Sequence, residues 1–166
     1  MRLRPDPWLG MLPAVALLAL ASCSAEPPAE SPSAHRREVV QPEGLARLPV
    51  FSTAIRNGDV LWMSGQIGTL PGVSPPTLVE GGVEAQTRQT FENIEAVLAA
   101  AGLGLADLVK CTVFLADIAD YAAMNAVYAT YFEGMDPPAR SALAGSGLAL
   151  GARVEIECVA AYPSGR

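Results

Sequence analysis

Lysine and histidine are almost missing from this sequence: of 166 residues one is lysine, Lys110, and one is histidine, His35. A Ser-His nucleophile pair, a histidine-built metal site and a choice of Schiff-base lysines are therefore nearly excluded. Basic side chains number 11 against 17 acidic ones, for a formal charge of −6. A nucleic-acid surface needs clustered Lys and Arg to neutralise phosphates, so no nucleic-acid partner is expected. Charged residues make up only 17% and hydrophobic ones 51%, the balance of a globular body. The length suffices for one domain with a proper core and a modest extension.

Part of the apolar share belongs to a leader. Residues 1–22 read as a lipoprotein signal peptide: Arg2 and Arg4 give a positive start, Leu9 to Leu20 an apolar centre, and Leu20-Ala21-Ser22-Cys23 a lipobox. The apolar run is short for a permanent span, which needs about 20 residues. Lipidation of Cys23 with cleavage before it would anchor the mature chain to a membrane of the bacterial cell envelope, with its domain outside the cytoplasm. The leader carries a net charge of +1, so its removal takes the chain from −6 to −7. Residues 23–37 are rich in Ser, Ala, Pro and Glu, lack apolar periodicity and read as a disordered linker.

Residues 38–166 form the expected domain. Glu38 to Pro42 reads as a short edge strand, and Leu48 to Ile55, the turn Arg56-Asn57-Gly58-Asp59 and Val60 to Gly65 as a hairpin. After a proline-bearing loop, Val83 to Ala101 carries Thr87, Phe91, Ile94 and Leu98 on one stripe and stops at Gly102, the pattern of a helix. Leu108 to Ala116 reads as a strand, and Ala119 to Glu133 as a second helix with Tyr121, Met124, Val127, Tyr128, Tyr131 and Phe132 facing inward. The order of elements predicts an α+β fold, a mixed sheet with two helices on one face. The strands are apolar on both faces, so the uncovered face is expected to meet another subunit.

Two further runs follow Pro137-Pro138. Ala139 to Ala144 and Arg153 to Ala160 flank the turn Gly145-Ser146-Gly147, which lacks the third glycine and following helix of a nucleotide loop. In the second run a period of two sets Arg153, Glu155 and Glu157 on one face and Val154, Ile156 and Cys158 on the other. Adjacent carboxylates repel, and Arg140, at the start of the preceding strand, is the expected neighbour, able to grip a carboxylate in two places.

Pro138-Ala139-Arg140-Ser141, followed fifteen residues after the arginine by Glu155 in Val154-Glu155-Ile156-Glu157, resembles the signature of the RidA (YjgF) family of enamine and imine deaminases. The likeness extends from Pro49 to Tyr162 through Ser64-Gly65-Gln66-Ile67, Gln86-Thr87-Arg88-Gln89-Thr90 and Val109-Lys110-Cys111-Thr112-Val113-Phe114. It implies a chorismate-mutase-like fold, a homotrimer with sites between subunits, and hydrolysis of reactive 2-imino and 2-enamino acids to 2-oxo acids and ammonia, with no metal or organic cofactor. Arg140 would hold the substrate carboxylate and Glu155 would activate water, with Gly65, Phe51, Asn125 and Ser141 lining the substrate site.

Two departures accompany the likeness. Phe51 stands where the family commonly has tyrosine, and Ala142 where it often has cysteine two places after the arginine. Because Phe51 lacks the tyrosine hydroxyl, an alternative reading stays open, a trimeric lipoprotein that binds small carboxylates without turnover. An endoribonuclease reading fits poorly with the acidic charge. Cys111 and Cys158 could pair in an oxidising compartment, but two buried free thiols are the expectation.

Overall fold

The computed structural model describes residues 37–163. The expected leader, the expected lipidation site Cys23 and the expected linker up to residue 36 lie outside the described residues.

The strands are β1 (Glu38–Val40), β2 (Ala54–Asn57), β3 (Val60–Met63), β4 (Gln66–Ile67), β5 (Leu108–Leu115), β6 (Ala139–Ala144) and β7 (Val154–Ala161); the helices are α1 (Gly82–Ala100) and α2 (Tyr121–Thr130). They form one sheet in the order β1-β2-β3-β7-β5-β6, with β4 also paired to β7. β5 and β6 run parallel across the α2 crossover, and the other pairs are antiparallel. This is the expected α+β architecture with an open sheet and two helices.

The hairpin forms, with Asn57 paired to Val60, so the turn is Gly58-Asp59 and Asn57 ends the strand. Gly58 takes a φ of 61°, a left-handed conformation that favours glycine. The expected strand from Leu48 is much shorter than its apolar run. Pro49 lacks a donor for the ladder, and the segment before Ala54 is instead tied by Thr53 Oγ1 donating to Gln41 Oε1 at 2.7 Å and Ser64 Oγ donating to Ser52 O at 2.7 Å. α1 ends as expected: Gly102 has φ 71° and Leu103 N–H reaches back to Leu98 O at 2.8 Å. α2 is shorter than expected, because a 3-10 turn at Ile118–Asp120, capped by Asp117, occupies its first residues.

One face of the sheet carries the core. Leu61, Cys111, Val113, Leu115, Val154, Ile156, Cys158 and Ala160 are buried against Phe91, Ile94, Leu98, Met124 and Tyr128 of the helices. Tyr121 is a correction to the inward stripe of α2: it is exposed, because the 3-10 turn places it at the helix start. On the opposite face Trp62 is 55% exposed, Leu143 46% and Val39 45%, so a band of large apolar side chains faces outward.

The cysteines also differ from expectation. Cys111 and Cys158 are direct cross-strand partners in β5 and β7, and their sulfurs form a disulfide. The sequence separation of 47 hid a pairing that strand register imposes.

Candidate active site

Arg140 lies in β6 opposite Cys111, on the helix-covered side of the sheet. Its Nη2 donates to Asn125 Oδ1 at 2.7 Å and to Tyr121 Oη at 3.1 Å, both on α2. Its guanidinium carbon lies 4.4 Å from the centroid of the Tyr128 ring, a cation–π stack. Asn125 and Tyr121 are four residues apart, one helical turn, and therefore present their polar atoms to the same point. With Nη2 engaged on both sides, Nε and Nη1 remain without a side-chain partner among the described residues. Burial pushes the Tyr128 hydroxyl above its ordinary pKa, partly offset by the Arg140 charge.

Glu155 leaves β7 on the other face, in register with Phe114 of β5 and Ile67 of β4. The expected sharing of one neighbourhood by Arg140 and Glu155 within a chain is therefore corrected. Arg140 aligns with Cys111, which is paired to Cys158, an odd number of residues from Glu155, and the period of two sends the two side chains to opposite sides. The nearby Arg153 does not pair with Glu155 either; its Nε donates to Asp120 Oδ2 at 2.7 Å.

Glu155 packs over Gly65. A Cβ on residue 65 would overlap Glu155 Oε1 and fall 2.7 Å from Cδ, so the missing side chain makes the space this carboxylate occupies. Burial, and secondarily the Glu157 charge, raise the Glu155 pKa above its ordinary 4.5. Gly65 and Phe51 line one cavity of about 100 Å³ together with Leu45, Leu48, Gln66 and Ile67. The predicted residues thus separate: Arg140 lies with Asn125, Glu155 lies against Gly65, and Gly65 shares a cavity with Phe51. Ser141 joins neither; it is exposed and accepts a hydrogen bond from Lys110 Nζ at 2.8 Å.

Sequence reasoning missed the polar side of α1. Asn93 is 1% exposed and donates through Nδ2 to Ile67 O at 3.0 Å and Thr69 O at 2.9 Å, while Gln89 Nε2 donates to its Oδ1 at 3.2 Å. These bonds fix the strand that follows Gly65. The signal was present as Gln86, Gln89 and Asn93 at spacings of three and four. Tyr121 and Tyr128 belong to the stripe expected to be ordinary core, yet both touch Arg140. Among the described residues no three His, Cys, Asp or Glu side chains gather as a metal-ligand set.

Residues 43–162 match the family described as Endoribonuclease L-PSP. The 2-iminobutanoate/2-iminopropanoate deaminase of Rattus norvegicus is 38% identical over 125 residues, covering 75% of this chain and 89% of the rat protein. Reactive Intermediate Deaminase A, chloroplastic, of Arabidopsis thaliana is 38% identical over 131 residues, covering 78% of this chain and 68% of the plant protein. The crystal structure of the YjgF gene product from E. coli superposes with a TM-score of 0.70 at 32% identity, covering 76% of this chain and 99% of that one. A family match over nearly the whole folded domain, with relatives alike in sequence and in fold, means that the chain belongs to the Endoribonuclease L-PSP family, that of the RidA/YjgF proteins.

Proposed function

We propose that this protein hydrolyses reactive 2-imino and 2-enamino acids to 2-oxo acids and ammonia at sites built from two copies of the chain. The observation that carries the reading is the held guanidinium of Arg140, fixed through Nη2 and stacked on Tyr128, with Nε and Nη1 left for a substrate carboxylate. The names of the rat and plant relatives, an imine deaminase and a reactive intermediate deaminase, support the same chemistry.

Glu155 cannot serve that carboxylate-bound substrate from within the same chain, because it projects from the other face. The exposed apolar band of Val39, Trp62 and Leu143 supports a self-association that brings the Glu155 face of one protomer to the Arg140 edge of the next, in a closed homotrimer. An enamine first tautomerises to the imine by moving a proton from nitrogen to carbon. Glu155 then takes a proton from water as the water oxygen bonds to the imine carbon, and the C=N electron pair moves to nitrogen, which takes that proton back from Glu155. The hydroxyl proton passes through Glu155 to the nitrogen as the C–N bond breaks with its pair leaving on ammonia, and the 2-oxo acid remains. A partly desolvated carboxylate with a raised pKa is suited to both proton movements.

The lipid anchor at Cys23 and residence in the cell envelope belong to the same proposal. Besides the leader and lipobox, the Cys111–Cys158 disulfide supports them, because such bonds persist in oxidising compartments. Membrane fractions of cells expressing the full chain should hold the wild type, and Cys23→Ala should release it.

The activity test supplies an amino-acid oxidase with its amino acid and traps the imine with semicarbazide. Suppression of semicarbazone by the protein, lost in Arg140→Ala, is the expected result. Saturable binding of pyruvate without suppression would instead establish the carboxylate-binding alternative.

A further inference from the structure

Arg140 also lines an open trough of about 370 Å³, together with Tyr128, Ala129, Phe132, Pro137 and Pro138. Two of these are aromatic rings, two are prolines and one is a methyl group; the guanidinium is the only charged group among them. The rings are set before any ligand arrives: Tyr128 and Phe132 are 5% and 6% exposed and each packs edge-on to Phe91, with ring centroids 5.2 and 5.9 Å apart. The prolines are equally fixed by their own chemistry. A rigid apolar wall beside a cation fits a ligand that is a carboxylate at one end and hydrocarbon at the other.

From this juxtaposition we infer that the trough receives the side chain of the substrate, and that the favoured substrates are 2-imino acids with a bulky apolar arm, branched aliphatic or aromatic. The inference rests on the assignment of Arg140 as the carboxylate anchor. Size decides between the two cavities near the predicted residues. A space of about 150 Å³ holds benzene, so the trough accommodates a phenyl or isobutyl group, whereas the cavity of about 100 Å³ beside Gly65 does not. Charge decides against other arms. A second carboxylate or an ammonium placed against Phe132 and the prolines would lose its hydration and gain no partner there.

The test generates the imines of alanine and phenylalanine with D-amino-acid oxidase and that of glutamate with D-aspartate oxidase, in the presence of the purified protein and with semicarbazide as the trap. The second-order rate constant should be about tenfold higher for the phenylalanine imine than for the alanine or glutamate imine, the scale that a filled apolar pocket supplies. Ala129 is exposed on the helix surface, so Ala129→Phe fills the trough without disturbing the core. In that variant the phenylalanine-to-alanine ratio should fall about tenfold. As a variant-free measurement, phenylpyruvate should inhibit imine hydrolysis by the wild type more strongly than pyruvate or 2-oxoglutarate. Equal rates, a preference for glutamate, or an unchanged ratio in Ala129→Phe would overturn the inference while leaving the carboxylate anchor intact. Undiminished activity in Arg140→Ala would instead remove the anchor itself.

Discussion

The side chains of Arg140 and Glu155 leave the same sheet on opposite faces, Arg140 in the row of Cys111 and Cys158 and Glu155 in the row of Phe114. Within one chain the two side chains therefore cannot meet on one small ligand. Each is separately organised. Two hydrogen bonds from α2 and a stacked ring hold the guanidinium, while a glycine opposite and partial burial hold the carboxylate.

Gly65→Ala should separate folding from activity. The atoms that a new Cβ would meet belong to the flexible end of Glu155, so the domain folds and the carboxylate turns away. Thermal midpoint should change by a few degrees, while the turnover number falls about 10²-fold, the lower part of the range for a positioned acid-base group. Retained turnover would mean that the location of Glu155 against Gly65 is not used.

The raised pKa of Glu155 has consequences of opposite sign for stability and rate. Above the ordinary 4.5 the unfolded chain has released this proton while the folded chain still holds it, so the native state binds more protons and stability declines as pH rises through that window. Glu155→Gln should remove this decline in urea midpoints measured across about pH 4 to 7. The rate, which needs the ionised base, should rise over the same window in the wild type and lose that limb in the variant.

The disulfide closes a loop between residues 47 apart in sequence. Replacing both cysteines, Cys111→Ala with Cys158→Ala, should cost about 4 kcal/mol of stability on the chain-entropy account, with some further loss from the two buried vacancies. Denaturant unfolding of the oxidised wild type against the double variant measures it. Equal stability would show that the bond contributes nothing to the folded state.

Periodicity made most of the fold legible. The stripe of Thr87, Phe91, Ile94 and Leu98 located α1, the alternation of Val154, Ile156 and Cys158 located the buried face of β7, and Asn57-Gly58 located the hairpin to within one residue. What remained hidden depends on register between distant strands. Nothing local to Arg140 or Glu155 reveals that β6 and β7 flank β5 in a phase that separates the two side chains. The same phase joins Cys111 to Cys158. The roles of Tyr121 and Asn93 were obscured differently: a helix stripe shows which way a residue faces, while its hydrogen-bond partner is decided by the element packed against it. The family resemblance names Arg140 and Glu155 together, but the phase that sets them on opposite faces of one chain is not readable from it.

The shared site is tested most directly by mixing two inactive variants, Arg140→Ala and Glu155→Gln, unfolding and refolding them together, and measuring imine hydrolysis. If each site takes Arg140 from one protomer and Glu155 from its neighbour, random reassembly restores about a quarter of wild-type activity, since one in four interfaces carries both intact residues. If the mixture refolds into mixed assemblies yet stays as inactive as its components, the two residues do not act across a subunit boundary and the account is contradicted.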